Sequence, residues 1–256
     1  MKELTWRELC FIEEVVIAPL SPELQLIARG WIEPFTMGYL CKRQYDILGR
    51  KDPEIEKAID LLINNAVENL HASIEEKAVP ILRELCNGDG SILSDTERYH
   101  DFSFFIAMQY FRTPGMLKAV LKVFQGSDDR FNVEAAFGLM RTIFATNVGA
   151  SLVFRRLSTR ITFVEAEGEH SFITGDQPVL NLRASGLPEG EEPTELEFYY
   201  PLTPTRALLI NFDSKHGIER IVAGPSEVLR FNKEIASVAN EQLYASREAE
   251  FLALNA

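Results

Sequence analysis

The chain has 256 residues, 46% of them hydrophobic and 25% charged, which is enough to bury a core as one large domain or two small ones. Its formal net charge of −12 repels nucleic acid and anionic lipid at long range, so neither is an expected partner. Cys10, Cys41 and Cys86 lie too far apart to suggest a disulfide framework, and the four scattered histidines come with no CxxC pair. No metal site and no cofactor are expected.

The opening stretch, MKELTWRELCFIEEVV, has acids interrupting each apolar run and so lacks a signal-peptide core. No run approaches the roughly 18 apolar residues that argue for a spanning helix. The expectation is a cytoplasmic protein without a membrane segment, and nothing in the chain indicates an oligomeric state. Charge is unevenly spread. Residues 51–100 carry 5 basic and 11 acidic groups, and residues 151–200 carry 4 and 9. Between Glu134 and Glu165 there is no acid, while Arg141, Arg155, Arg156 and Arg160 fall there, making that stretch the candidate anion-facing patch.

Helix signals fill the first 150 residues. Thr5 and Glu8 form a capping box ahead of Leu9, Phe11, Ile12 and Val15. Ser21-Pro22 starts a second helix, which Gly30 is expected to stop. Asp52-Pro53 starts a third, with Ile55, Ile59, Leu62, Ala66 and Leu70 at helical spacing. His71 is read as the start of a further segment, restarted or kinked at Pro80, and Asn87-Gly88-Asp89-Gly90 is a turn. Ser94 with Glu97 is expected to cap a helix ending near Thr113-Pro114. Two helices follow, over about 115–124 and 131–156, separated by Gly126-Ser127-Asp128-Asp129.

After residue 157 the pattern turns β-branched and aromatic. Residues 161–164, 171–174, 179–182, 196–200 and 207–212 read as strands. Residues 185–195 form an acidic, Pro/Gly-rich loop, a helix starts near Pro225-Ser226, and Leu243-Tyr244 reads as a short strand. The fold class expected is α+β: a mainly helical N-terminal half (1–157) packed on a small, mostly antiparallel sheet with a C-terminal helix (158–256), as one integrated domain.

Asp176 is the first candidate site residue. It follows a strand and precedes Gln177-Pro178. A carboxylate there could act as a base or metal ligand beside Thr174, or form an Asx-turn that fixes the bend. His170, just upstream, could pair with it. Arg112 ends an aromatic-rich helix, where it could clamp an anion in a bidentate fork, satisfy the last helix carbonyls, or pair with Asp176. Arg155, Arg156 and Arg160 could bind phosphate, or could meet the negative end of their own helix. A Gly-rich phosphate loop, a nucleophile elbow and HExxH are all absent, and no lysine lies between Lys122 and Lys215 to complete a PD-(D/E)xK nuclease core. The 17 phenylalanines, concentrated in 102–144, suit a core or an exposed partner face.

Several ordered motifs carry a resemblance: residues 74–85 (IEEKAVPILREL), Gln109-Tyr110-Phe111-Arg112-Thr113-Pro114, Phe172-Ile173-Thr174-Gly175-Asp176-Gln177-Pro178-Val179, Pro201-Leu202-Thr203-Pro204, and Asn232 with Ala239. Over about residues 70–245 the chain resembles the bacterial domain-of-unknown-function family 4238. That family usually opens with His-Tyr-Val-Pro-Gln, whereas no histidine precedes His71 here. The resemblance implies a shared fold and brings no established activity with it.

Two functions fit. One is an interaction protein whose acidic surface addresses a basic protein partner, as toxin-neutralising or phage-defence proteins do. The other is a hydrolase or phosphoryl-handling enzyme, with Asp176 as acid/base and Arg112 as anion clamp.

Overall fold

In the computed structural model, residues 5–49, 52–64, 66–124, 131–184, 187, 191, 193–213 and 216–254 are described. The helices are α1 (Trp6–Phe11), α2 (Pro22–Leu48), α3 (Pro53–Asn64), α4 (Ala66–Cys86), α5 (Thr96–Phe111), α6 (Pro114–Val123), α7 (Val133–Phe154), α8 (Pro225–Val238) and α9 (Glu248–Leu254). The strands are β1 (Thr159–Ala166), β2 (Thr174–Gly175), β3 (Leu180–Asn181), β4 (Glu197–Thr203), β5 (Arg206–Phe212), β6 (Gly217–Ala223) and β7 (Leu243–Tyr244). The fold is α+β. A five-stranded sheet runs β3-β4-β5-β1-β6, antiparallel except for the parallel β1/β6 pair, and β2 and β7 form a separate two-stranded ladder.

The start of the fold follows its caps. Glu8 accepts the Thr5 amide at 3.0 Å, closing the capping box, and its other oxygen accepts the amide of Asn132 at 3.2 Å. Asn132 in turn caps α7 by accepting from Ala135 at 3.1 Å. Burial pushes the Glu8 carboxyl upward, but the Thr5 hydroxyl and the Asn132 and Thr5 amides outweigh it and hold the group below the ordinary carboxylate range. One buried carboxylate thus ties α1 to α7.

Four boundaries differ from expectation. α2 does not stop at Gly30. It runs through Gly30 and Pro34 to Leu48 and ends at Gly49 with φ 61°. A helical glycine costs only about 1 kcal/mol, and Ile32 and Phe35 beyond it are buried in a core cluster with Leu139, Met140 and Ile143 of α7. α4 likewise runs from Ala66 through His71 and Pro80 to Cys86, so neither residue starts a new helix. The cap of α5 is Asp95 rather than Ser94, its carboxylate accepting the Arg98 amide at 2.9 Å. Of the predicted strands 171–174 and 179–182 only the pairs in β2 and β3 ladder, because side chains rather than a neighbouring strand take up the backbone of 171 and 173. β6 and α9 were not anticipated. The separator 126–129 and most of the loop 185–195 lie outside the described residues.

The largest core cluster crosses residue 157. Ala78, Ile81 and Leu85 of α4, Phe102, Phe105 and Ile106 of α5, and Leu152 of α7 pack on Ile161, Phe163, Phe198, Leu208 and Ile210 of the sheet. A second sheet-side cluster joins Val164, Tyr199 and Ala207 to Val228, Phe231 and Ile235 of α8. Tyr199 and Phe231 stack with ring centres 4.5 Å apart. α7 is long and apolar enough to cross a bilayer, but 56% of its apolar stretch is buried, which is the pattern of a core helix.

Candidate functional site

Segment 171–178 is where the helical layer, the sheet and α8 meet. Its entry is held by Asn232, a buried residue of α8. The Asn232 Oδ1 accepts the Ile173 amide at 3.0 Å, and its Nδ2 donates to the Ser171 carbonyl at 2.9 Å. Glu250 of α9 accepts the Ser171 amide at 3.1 Å and pairs with Arg247 at 2.6 Å. The chain is thereby fixed in an extended path without a full strand partner.

Thr174 and Gly175 then ladder with Tyr244 and Leu243. Gly175 is obligatory for packing: a Cβ there would lie 2.8 Å from the Gln242 carbonyl and 3.4 Å from the Ala239 methyl. The Asp176 amide donates to that same carbonyl at 3.1 Å. The Asp176 carboxylate accepts the amides of Asn240 at 2.8 Å and Glu241 at 2.7 Å, in the turn that follows α8. Burial pushes its carboxyl upward, but the amides of Asn240, Glu241 and Gln242 prevail and hold it below the ordinary carboxylate range.

Gln177 closes the segment against the helical layer. Its Nε2 donates to the carbonyls of Val179 at 2.8 Å and Tyr110 at 3.2 Å, and its Oε1 accepts the Thr113 hydroxyl. Thr113 is also the N-cap of α6. The end of α5 therefore touches the 171–178 segment through Thr113 and Gln177. Arg112 does not pair with Asp176. It is exposed, and its guanidinium bonds the carboxylate of Glu75 on α4. Nearby, burial and the Cys86 thiol push the Tyr200 phenol up to about 12, against the opposing charge of Arg112. His170 is exposed.

The arginines of the acid-free stretch are engaged locally. Arg155 lies 3.7 Å over the Phe212 ring, Arg156 donates to the Thr96 hydroxyl at 2.5 Å, and Arg160 pairs with Asp213 at 2.6 Å and Glu219 at 3.3 Å. Two arginines that sequence reasoning passed over are more deeply integrated. Arg206 of β5 bonds the Cys86 carbonyl and Glu165 (2.7 Å), and Arg220 of β6 bonds the Gly88 carbonyl. Together they cap the C-terminal end of α4, the end that attracts cations. A Cβ at Gly88, where φ is 81°, would sit 3.1 Å from the Arg220 tip. Only the Cys86–Gly90 turn chemistry hinted at this, since both arginines lie more than a hundred residues away in the chain. Among the described residues no group of three His, Cys, Asp or Glu side chains is placed to hold a metal ion.

The profile of a family described as a protein of unknown function, DUF4238, matches residues 60–143 and 140–249. The chain belongs to DUF4238. The DUF4238 match starts inside α3, so α1 and all of α2 precede it. Three of the five motifs that suggested this membership, Gln109–Pro114, 172–179 and Asn232 with Ala239, are gathered around segment 171–178. No curated protein and no solved structure matches the chain.

Proposed function

We propose that this DUF4238 protein is an interaction module whose acidic surface binds a basic protein, in the manner of toxin-neutralising or phage-defence proteins. One observation carries the reading. Glu54, Glu56, Asp60, Glu76 and Glu97 on α3, α4 and the first turn of α5 are all exposed, and no ion pair engages them among the described residues. Carboxylates left in water keep their full charge and steer a cationic surface toward them, over a range of about 10 Å at 0.1 M salt.

The alternative, a hydrolase or phosphoryl-handling enzyme, gains nothing from this geometry. Asp176 already spends both oxygens on backbone amides, and its low pKa makes it a weak base. Arg112 has a carboxylate partner of its own.

The test is capture of a partner by the full chain at low salt, followed by salt elution. The expected partner is basic, is released by raised salt, and is lost when Glu54, Glu56, Asp60 and Glu76 are all changed to Lys. Asp176→Ala is expected to keep the binding. Failure to capture a salt-sensitive partner, or capture unaffected by the four reversals, would overturn the reading.

A further inference from the structure

Asn87-Gly88 is the one Asn-Gly step in the chain. Such a step is chemically labile. Glycine has no side chain to shield its amide nitrogen, so that nitrogen can attack the preceding asparagine at Cγ. A bond forms between the two, the Cγ–Nδ2 bond breaks, and Nδ2 leaves as ammonia with the proton given up by the glycine amide. Water then opens the cyclic imide. The product is aspartate or isoaspartate, in which the main chain runs through the former side-chain carbon. Water is the only co-reactant.

The fold treats the two reacting groups differently. Asn87 is exposed, and its side-chain amide makes no hydrogen bond among the described residues, so Cγ is open to attack. The attacking nitrogen is held. Gly88 is buried, its amide donates to the Leu85 carbonyl at 2.9 Å, and the Asp89 amide donates to the Glu84 carbonyl at 2.8 Å. With φ 81° at Gly88, these two bonds are the Schellman ending of α4. Ring closure must take the Gly88 nitrogen away from Leu85, and Gly88 is not free to move. Its carbonyl accepts from Arg220, which lies 4.8 Å over the Phe163 ring and 3.7 Å from Glu165. Arg206 shares that Glu165 at 2.7 Å and holds the Cys86 carbonyl, on the other side of Asn87. Guanidinium groups from two strands thus bracket the labile step.

We propose that Asn87 is a deamidation site gated by the Arg206–Arg220 clamp, reacting only when the end of α4 lifts off β5 and β6. The reaction opposes its own reversal of fold. Aspartate adds a negative charge at the negative end of the α4 dipole. Isoaspartate inserts a methylene between the two carbonyls that the arginines hold, so both can no longer be reached at once. Modification therefore loosens the contact that had prevented it. This site is independent of the acidic surface.

The test incubates the full chain at mildly alkaline pH and follows conversion of the Asn87 amide to the acid by peptide mass spectrometry. Isomerisation at the neighbouring Asp89-Gly90 step leaves the mass unchanged and does not interfere. The same chain unfolded in guanidinium chloride sets the unprotected rate. The folded parent is expected to react on the order of a hundredfold more slowly, because only locally opened molecules react. Arg220→Ala, with the circular dichroism spectrum of the parent, should react about tenfold faster than the parent, having lost a charge-assisted bond of the clamp. Arg206→Lys gives a second reading should Arg220→Ala fail to fold. Asn87→Asp should lower the denaturation midpoint, whereas Asn87→Gln should leave it in place. A folded parent that reacts at the unfolded rate overturns the proposal, as does an Asn87 that survives even in denaturant. So do folded arginine variants that react no faster than the parent, since the clamp would then not be the gate.

Discussion

The Asn232 side chain holds Ile173 in place: its Oδ1 accepts the Ile173 amide at 3.0 Å while its Nδ2 donates to the carbonyl two residues earlier. Asn232 is 1% exposed. Replacing it by Leu would bury an amide and a carbonyl with no partner, at about 1–3 kcal/mol for each group left unpaired. The expected loss is about 2–4 kcal/mol by urea denaturation. A loss under half a kilocalorie would mean that water or a rearranged backbone takes over both bonds.

Asp176 should make the protein acid-sensitive. Its folded pKa lies below its unfolded one, so its contribution to stability is present above the unfolded value. That contribution disappears as pH falls through the folded value and the proton displaces the Asn240 and Glu241 amides. Stability measured from about pH 6 down to pH 2 should fall less steeply in Asp176→Asn than in the parent, and the two curves should converge at the acid end. Parallel curves would assign the acid sensitivity to other carboxylates, Glu8 first among them.

Gly175 has no room for a methyl. The nearest obstacle to a Cβ is the Gln242 backbone oxygen at 2.8 Å, and it is the acceptor of the Asp176 amide, so it cannot withdraw without breaking that bond. Gly175→Ala should cost about 1–3 kcal/mol, read as a lowered denaturation midpoint. An unchanged midpoint would show that the β2/β7 ladder opens freely.

Tyr199 provides the opposite sign. It is fully buried, and its hydroxyl has no hydrogen-bond partner among the described residues. Burial pushes the phenol well above its ordinary pKa, so it stays neutral. Tyr199→Phe removes the unsatisfied oxygen and keeps the stack on Phe231, so stability should hold or rise by about 1 kcal/mol. Thermal unfolding distinguishes this from a drop, which would reveal a bond made by that hydroxyl.

Elements whose cause is local were legible in the chain. The capping box at Thr5 and Glu8, the proline starts of α2, α3 and α8, the turn at 87–90 and the β-branched run of β1 depend on neighbours within a few residues. β6 was not legible. Its Gly-Ile-Glu-Arg-Ile-Val-Ala pattern is charged and mostly exposed, as suits a sheet edge, and its strand character comes from parallel pairing with β1 nearly sixty residues earlier. The sequence reading cut α2 short at Gly30 because glycine is a local stop signal, and the burial of Ile32 and Phe35 that overrides it is a tertiary effect.

By itself the sequence determined an acidic α+β chain with most of its helices before its strands and a helix after them, and it marked 172–179 as a special segment through family resemblance. Only the tertiary structure decided what that segment does. The amides that bind Asp176 lie sixty-four and sixty-five residues further along, the hydroxyl that meets Gln177 sixty-four residues earlier, and the partner of Arg112 thirty-seven residues before it. A carboxylate or guanidinium has the same chemistry in the chain whether it will face substrate, solvent or backbone. Which of these it faces is set by non-local packing.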